Sequence, residues 1–440
     1  MIALSERAAT RRLLDRFGFG PRPGETSRGF HLTLTGLLSP GGTHVDAGTR
    51  ATPPPTIDAP PMVSAKRIGD ASLVKAVNTR LQRQQQTLTS WWLDRMVATD
   101  APAVERLTWF WHGHFATSEQ KVRSPRLMLR QNETFRRLGM GSFTDLAKAM
   151  IVDPAMLIWL DAQQNKAGSP NENLAREFME LFCLGVHQYT ETDVRQAARA
   201  LTGWTVRRDS ISATFMADRH DNASKTFLGS TGDFDAHSFV DIVLSKPESA
   251  RFVVGRLWAR LVSATPPTAD VLDRLVAAYG QRRDIRALLS AIASEPAFRQ
   301  DSATSLVKQP VEWAVGLMRA CAIRPATLGA AHITALCNGL RKMGQLPFEP
   351  PSVGGWSSGP AWLTTSAGAA RLQVASLIAA NADVGTISAA SRRARPDAAR
   401  ELLGVDAWSA RTSSALSTVA DWPEKLLTIA ACAPEYVVSY

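Results

Sequence analysis

A chain of 440 residues, 45% hydrophobic and 20% charged, can bury one large core or two modest ones, which marks a globular protein. Its net charge of +10 invites a nucleic-acid partner, yet the basic residues fall mostly singly or in pairs between acidic ones, so nucleic acid is disfavoured. No apolar run reaches the roughly 18 residues of a membrane-spanning helix, so no membrane span is expected.

In chain order, MIALSERAATRRLLDRFGFG carries arginines where a signal peptide needs its apolar core. A soluble, cytoplasmic protein is therefore expected, with export alongside a partner as the alternative. Residues 4–17 have helical spacing up to Gly18. The stretch SPGGTHVDAGTRATPPPTIDAPP, residues 39–61, is too rich in Pro, Gly and Thr to pack and predicts a flexible surface linker or loop. A long helix is predicted over 70–99, with others at 101–112, 124–138, 142–151, 170–184, 190–203, 235–244, 247–262, 267–279, 283–293, 305–322, 329–343, 366–380 and 423–432. This divides the chain into an N-terminal helical segment at 1–38, a Pro/Gly/Thr-rich linker or loop at 39–69 and a main helical domain at 70–440. Alternating strand patterns are nearly absent, and ISATFMA (211–217) with KTFLG (225–229) predicts one small hairpin. The fold class is all-α: a multi-helix domain with long loops and at most a small β-hairpin. Cys183, Cys321, Cys337 and Cys432 lie far apart in apolar contexts and read as buried free thiols.

The stretch WFWHGHF, residues 109–115, sets His112 and His114 one residue apart among aromatics. On an ideal helix such residues point about 200° apart, so both reach one metal only if the chain leaves helical geometry, which Gly113 permits. A core histidine against Trp109 or Trp111 is the alternative. In NENLAREFMELF, Asn171 reads as an N-cap with Glu172 in the first turn, and Gly185 as the stop. Leu174, Phe178, Leu181 and Phe182 form an apolar stripe, while Asn173, Glu177 and Glu180 share another face. Two carboxylates one turn apart can hold a metal, act as acid and base, or pair with arginine. Arg176, four residues from both Glu172 and Glu180, makes a surface ladder of ion pairs the simpler alternative.

His220, Asp221 and Lys225, in RHDNASKTFLG, add polar groups to an otherwise apolar block. Glu177, Glu180, His220 and Asp221 are the catalytic candidates. His112 and His114 are the metal candidates, for a divalent ion such as zinc, manganese or non-haem iron. A glutamate three residues from a histidine is absent, which disfavours a dinuclear iron centre, and HExxH, Walker A and GxGxxG elements are absent too. In MGQLPFEPPSVGGW (343–356), two prolines before Gly354 and Gly355 predict a rigid turn that admits close approach of another backbone. Trp356 and Trp362 offer flat apolar surface there. Lys225, Gln345, Trp356 and Arg371 are the substrate-binding candidates, for a sugar or an extended peptide. Packing of this loop against the bundle is the alternative.

Five ordered blocks, FWHGHFATSEQKV (110–122), DPAMLIWLD (153–161), NENLAREFMELFCLGVHQYTETDVRQAARALTGW (171–204), RHDNASKTFLG (219–229) and MGQLPFEPPSVGGW (343–356), resemble the bacterial domain-of-unknown-function family numbered 1800. The likeness runs from LLDRFGFGP to Arg371. It implies little about activity, because the family is named for lacking one. It does imply a partner, since such genes often lie beside one for a sulfatase-like protein of the alkaline-phosphatase superfamily. Many relatives carry an export signal. Two function classes follow: a metal-dependent enzyme acting on a polymer or peptide through the His and Glu residues, or a non-catalytic binding partner or maturation factor for the sulfatase-like protein.

Overall fold

The computed structural model describes residues 4–39, 46–59, 71–207, 210–299 and 304–440. The protein is 63% helical, and among the described residues its strands form three two-stranded antiparallel sheets. The expected all-α class holds, and local signals account for the helix starts. Ser5 accepts from the Ala8 amide to open Glu6–Phe17, and Asp153 from the Met156 amide to open Pro154–Trp159. A capping box of Thr190 and Asp193 opens Glu191–Ala200. The long helix runs Ala71–Ala98, and Pro102–His114 follows with proline in its first turn.

The two segments expected to pair as one hairpin do not pair with each other. Ala213–Phe215 joins Trp204–Val206, and Lys225–Phe227 joins Ser230–Gly232. A nearer partner closes a shorter loop at lower entropic cost. Leu306–Val307 pairs with Val438–Ser439 and ties the end of the chain back onto the fold.

Apolar side chains collect into two cores. One gathers the N-terminal helices, Phe143–Ile151, the Phe178–Cys183 turn and the helices Ala236–Ser245 to Ile285–Ser294. The other gathers the second half of Ala71–Ala98 and the helices from Pro310 onward. Pro102–His114 is the wall between them. Its Leu107, Phe110 and Trp111 belong to the first core and its Trp109 to the second, so this helix is apolar and buried on nearly every side. Three of the four cysteines are buried and all are free. Among the described residues no helix is long and apolar enough to cross a membrane.

Arginines fasten the N-terminal helix into this frame. Arg12 donates to the Phe298 and Tyr440 carbonyls and to the Thr304 hydroxyl, each at 2.7 Å. Arg16 donates to the carbonyls of Val262 at 2.8 Å and Ser439 at 2.9 Å, and Asp15 lies 2.8 Å from Lys308 Nζ. A buried guanidinium is tolerable only when its donors are satisfied, and the carbonyls of helix ends and the chain terminus satisfy them here.

Of the segment expected to be an unpacked linker, residues 40–45 and 60–69 lie outside the described residues. Over 46–59 the chain packs. Asp46 caps the turn Ala47–Arg50, and Ile57 is buried. Gly48 lies so close to the end of the later long helix Ala71–Ala98 that a Cβ would clash with the Ala98 carbonyl oxygen. Trp91 and Arg95 both donate to the Thr52 carbonyl at 3.0 Å. Composition does not reveal these anchors, because they are backbone groups met by residues far along the chain.

Arg16→Met would strand the Val262 and Ser439 carbonyls in the interior, and should lower the unfolding free energy by about 3 kcal/mol or more. Arg251→Met, which breaks the exposed pair with Asp273, should cost less than about 1 kcal/mol. Urea denaturation of both variants checks the contrast, and an Arg16→Met protein with the parent's midpoint contradicts it.

Candidate functional site

Three distant segments meet the last turn of Pro102–His114. His112, Gly113 and His114 all remain helical, so the two imidazoles point to opposite sides of the helix and Gly113 does not unwind it. His112 sits among Trp92, Trp109, Phe348 and Trp356, with ring centroids 5.3 to 6.0 Å away. Its Nε2 accepts from the Phe348 amide at 2.9 Å. Phe348 has φ +68°, a left-handed conformation that a bulky side chain resists. Its carbonyl is held as well, accepting from the Glu119 amide at 2.8 Å. His112 therefore clamps the loop at 343–356. Gly355, with φ +81°, lies where a Cβ would meet the Gly113 carbonyl oxygen at 2.4 Å. The close backbone approach expected of this Pro and Gly turn is thus made onto the helix between the two histidines.

His114 faces the other core. Its Nε2–H donates to the Phe182 carbonyl at 2.9 Å. A carbonyl only accepts, so the proton sits on Nε2 and leaves Nδ1 as a buried acceptor, which has no partner among the described residues. Phe182 belongs to a π-helical turn, Phe178–Cys183, that continues Asn173–Glu177, and the carbonyls at a helix end are free for side chains. Burial pushes both imidazoles down to about 3. For His114 the Arg256 charge adds to that, and the Phe182 carbonyl opposes it.

Beside His114 lies a half-open cleft of about 160 Å³, lined by Trp109, His114, Arg256, Arg260, Gln309 and Trp356 among others. Trp356 stacks on Trp109 with centroids 5.0 Å apart, and its Nε1 is buried without a partner among the described residues. Gln309 Oε1 accepts from Trp109 Nε1 at 3.2 Å and from Gln345 Nε2 at 2.8 Å. Arg260 is paired with Glu312, which also takes Arg106. Arg256 makes no ion pair among the described residues, and no carboxylate lines the cleft.

The remaining expected site residues are dispersed over other contacts. Glu177 and Glu180 do lie together: burial and then the Glu180 charge raise the Glu177 carboxyl above its ordinary range, with Arg176 opposing. Glu180 accepts from the Tyr189 hydroxyl. Arg176 pairs with Glu172 at 3.1 Å and with Glu191 at 2.7 Å, so only the Glu172 rung of the expected ladder forms. His220 Nδ1–H donates to the Thr202 carbonyl at 2.9 Å, and Asp221 takes Arg199 through both oxygens at 2.7 and 3.1 Å. The buried Lys225 ammonium pairs with Asp233 at 2.8 Å. Gln345 is fully buried and its Oε1 accepts from the Val311 amide at 3.0 Å, while buried Arg371 lies 5.4 Å from the Trp313 ring. Among the described residues no group of three His, Cys, Asp or Glu side chains is placed to hold a metal ion. The histidines expected to share one are turned apart by the unbroken helix between them.

Sequence reasoning missed Arg256, whose sole signal is its four-residue spacing from Arg260 on Pro247–Leu261. It also missed Glu119 and Asp153, which burial pushes up to about 8 and about 6 against hydrogen bonds from the Ser124 and Met156 amides. Nothing in their local patterns marks them as interior.

The two depressed imidazoles make the fold acid-sensitive. Unfolded histidines take up protons near 6.5 and the folded ones only near 3, so stability falls as pH drops through that window and is unaffected by them above it. Two such groups give a slope of up to about 2.7 kcal/mol per pH unit. His114→Gln should remove about half of this slope in denaturation series run between about pH 6 and 4. An unchanged slope contradicts the assignment.

No curated protein and no solved structure matches the chain. One family model does, and it is described as "Protein of unknown function (DUF1800)". Its match covers residues 12–438, taking in both histidines, the π-helical turn, Arg256 and the clamped loop, and the chain therefore belongs to the DUF1800 family.

Proposed function

We propose that this protein is a ligand-binding protein whose site is the cleft between His114, Arg256 and Trp356. The observation that carries the reading is a buried acceptor, His114 Nδ1, and a buried donor, Trp356 Nε1, both without partners among the described residues and both on residues that line the same cleft. Each such orphan costs about 1–3 kcal/mol, so two in one cleft are expensive unless a ligand completes them. The helix and the loop that present them are joined through the His112 clamp, which suits a preformed pocket.

Proton affinity favours binding over proton-transfer catalysis at this place. An imidazole held at about 3 is a weak base near neutrality, and the His114 Nε2–H is committed to Phe182. Glu119 and Asp153, whose affinities are better suited to general acid or base work, do not line the cleft.

A thermal-shift screen of a chemically diverse metabolite panel, run on the parent and on Trp356→Phe, tests the reading. The variant keeps an aromatic ring on Trp109 and deletes the indole N–H. At least one compound should raise the parent's Tm in a dose-dependent way, with the shift lost or halved in the variant. A panel that shifts both proteins alike, or neither, contradicts the proposal.

A further inference from the structure

We infer that the ligand of this cleft is a hydroxylated carboxylate of the sugar-acid class, with its carboxylate at Arg256 and a hydroxyl donating to His114. The inference rests on the binding reading above and narrows it to a chemical class.

The charge balance selects an anion. Arg256 brings a guanidinium without an ion-pair partner among the described residues, and the only other charged side chain lining the cleft, Arg260, is already paired with Glu312. A guanidinium fork matches the two oxygens of a carboxylate, and such charge-assisted bonds are roughly twice as strong as neutral ones. Trp356 Nε1 adds an unpaired donor. Gln309 has its carbonyl oxygen fully engaged, and its amide nitrogen makes no hydrogen bond among the described residues, so it is a further donor.

Donors alone would suit any anion, and His114 narrows the choice. Its Nε2 proton is fixed by the Phe182 carbonyl, so Nδ1 presents a lone pair. Burial and the nearby Arg256 charge keep that nitrogen unprotonated at neutral pH. A ligand with acceptors alone would set one lone pair against another there. The ligand must bring an O–H or N–H as well as a negative charge. A carboxylate flanked by hydroxyls carries both at every pH near neutrality.

Size and shape agree with a sugar acid entering by one end. At about 30 Å³ per water, a cleft of about 160 Å³ has room for about five water-sized groups, enough for a carboxylate and its neighbouring carbinols. The cleft is half open, and the exposed Ser357 and Ser358 stand at its edge. The stacked Trp109 and Trp356 give an apolar wall for C–H groups. A free sugar acid and the terminal uronic residue of a polysaccharide share this chemistry.

Calorimetric titration of the full chain with glucuronate, glucose and cyclohexanecarboxylate tests the class. Glucuronate should bind, with glucose lacking the charge and cyclohexanecarboxylate lacking the hydroxyls each at least about tenfold weaker. Arg256→Ala, at an exposed position where folding is not at stake, should weaken glucuronate by at least about tenfold. A glucuronate oligosaccharide that binds more tightly than the monomer assigns the site to a polymer end, and equal affinity assigns it to the free acid. Either control binding as well as glucuronate, no binding of glucuronate, or an indifferent Arg256→Ala overturns the inference. If glucuronate fails while a panel compound still gives a Trp356-dependent thermal shift, the class is wrong and the binding site stands. If the panel fails as well, the binding reading falls with it.

Discussion

At the end of helix Pro102–His114, His112 accepts from the Phe348 amide and His114 donates to the Phe182 carbonyl. Two imidazoles one residue apart therefore act with opposite hydrogen-bonding sense on opposite sides of one helix. One holds a loop that belongs to the second core, and the other holds a turn that belongs to the first. Each bond adds only about 1 kcal/mol net, but losing either leaves a buried backbone group unpaired at about 1–3 kcal/mol. The left-handed Phe348, a conformation that costs about 1–3 kcal/mol, persists because its amide and carbonyl are both captured. With the loop fixed, Gly355 lies on Gly113 and Trp356 lies on Trp109, which forms one wall of the cleft.

The start of the same helix is fixed by charge. Burial alone would raise the Glu105 carboxyl, but Arg136 at 2.5 Å and Arg95 at 3.0 Å outweigh it and hold the group below its ordinary range. Arg106 reaches the Arg16 carbonyl at 3.0 Å and pairs with Glu312, linking the helix to the N-terminal helix and to Pro310–Ala320. Buried carboxylates here are surrounded by cations and buried arginines by carboxylates or carbonyls, as low-dielectric burial requires. Arg256 differs from these in being exposed to solvent. It sits beside Arg260 and His114, lines a cleft without carboxylates, and is left uncompensated among the described residues.

Much of the fold was legible because helices are written locally. The 3.6-residue stripes and caps place Ala71–Ala98, Pro125–Leu138, Pro247–Leu261 and Pro423–Cys432 within a residue or two of expectation. Arg395–Leu402 and Ala410–Thr418 were not, since their short, polar sequences carry too few apolar residues to show a stripe. WFWHGHF was recognisable as a helix end rich in aromatics, and the Pro and Gly turn as a place for close backbone contact. The direction of each imidazole was not legible, because Phe348 and Phe182 lie 236 and 68 residues away from their partners. Arg176 shows the same limit on the surface, where it pairs with Glu191 from the next helix in place of Glu180 on its own. Arg256 is harder still, since what distinguishes it is a partner it does not have.

The opposite tautomers of the two histidines are the point on which this account depends, and nitrogen-15 NMR of histidine-labelled protein reads them directly. His112 should show a protonated Nδ1 and His114 a protonated Nε2, with both rings neutral from pH 8 to below about 5, because burial holds them near 3. Assignment of the two signals by His112→Gln and His114→Gln completes the measurement. A shared tautomer, or either ring titrating near 6.5, would contradict the account.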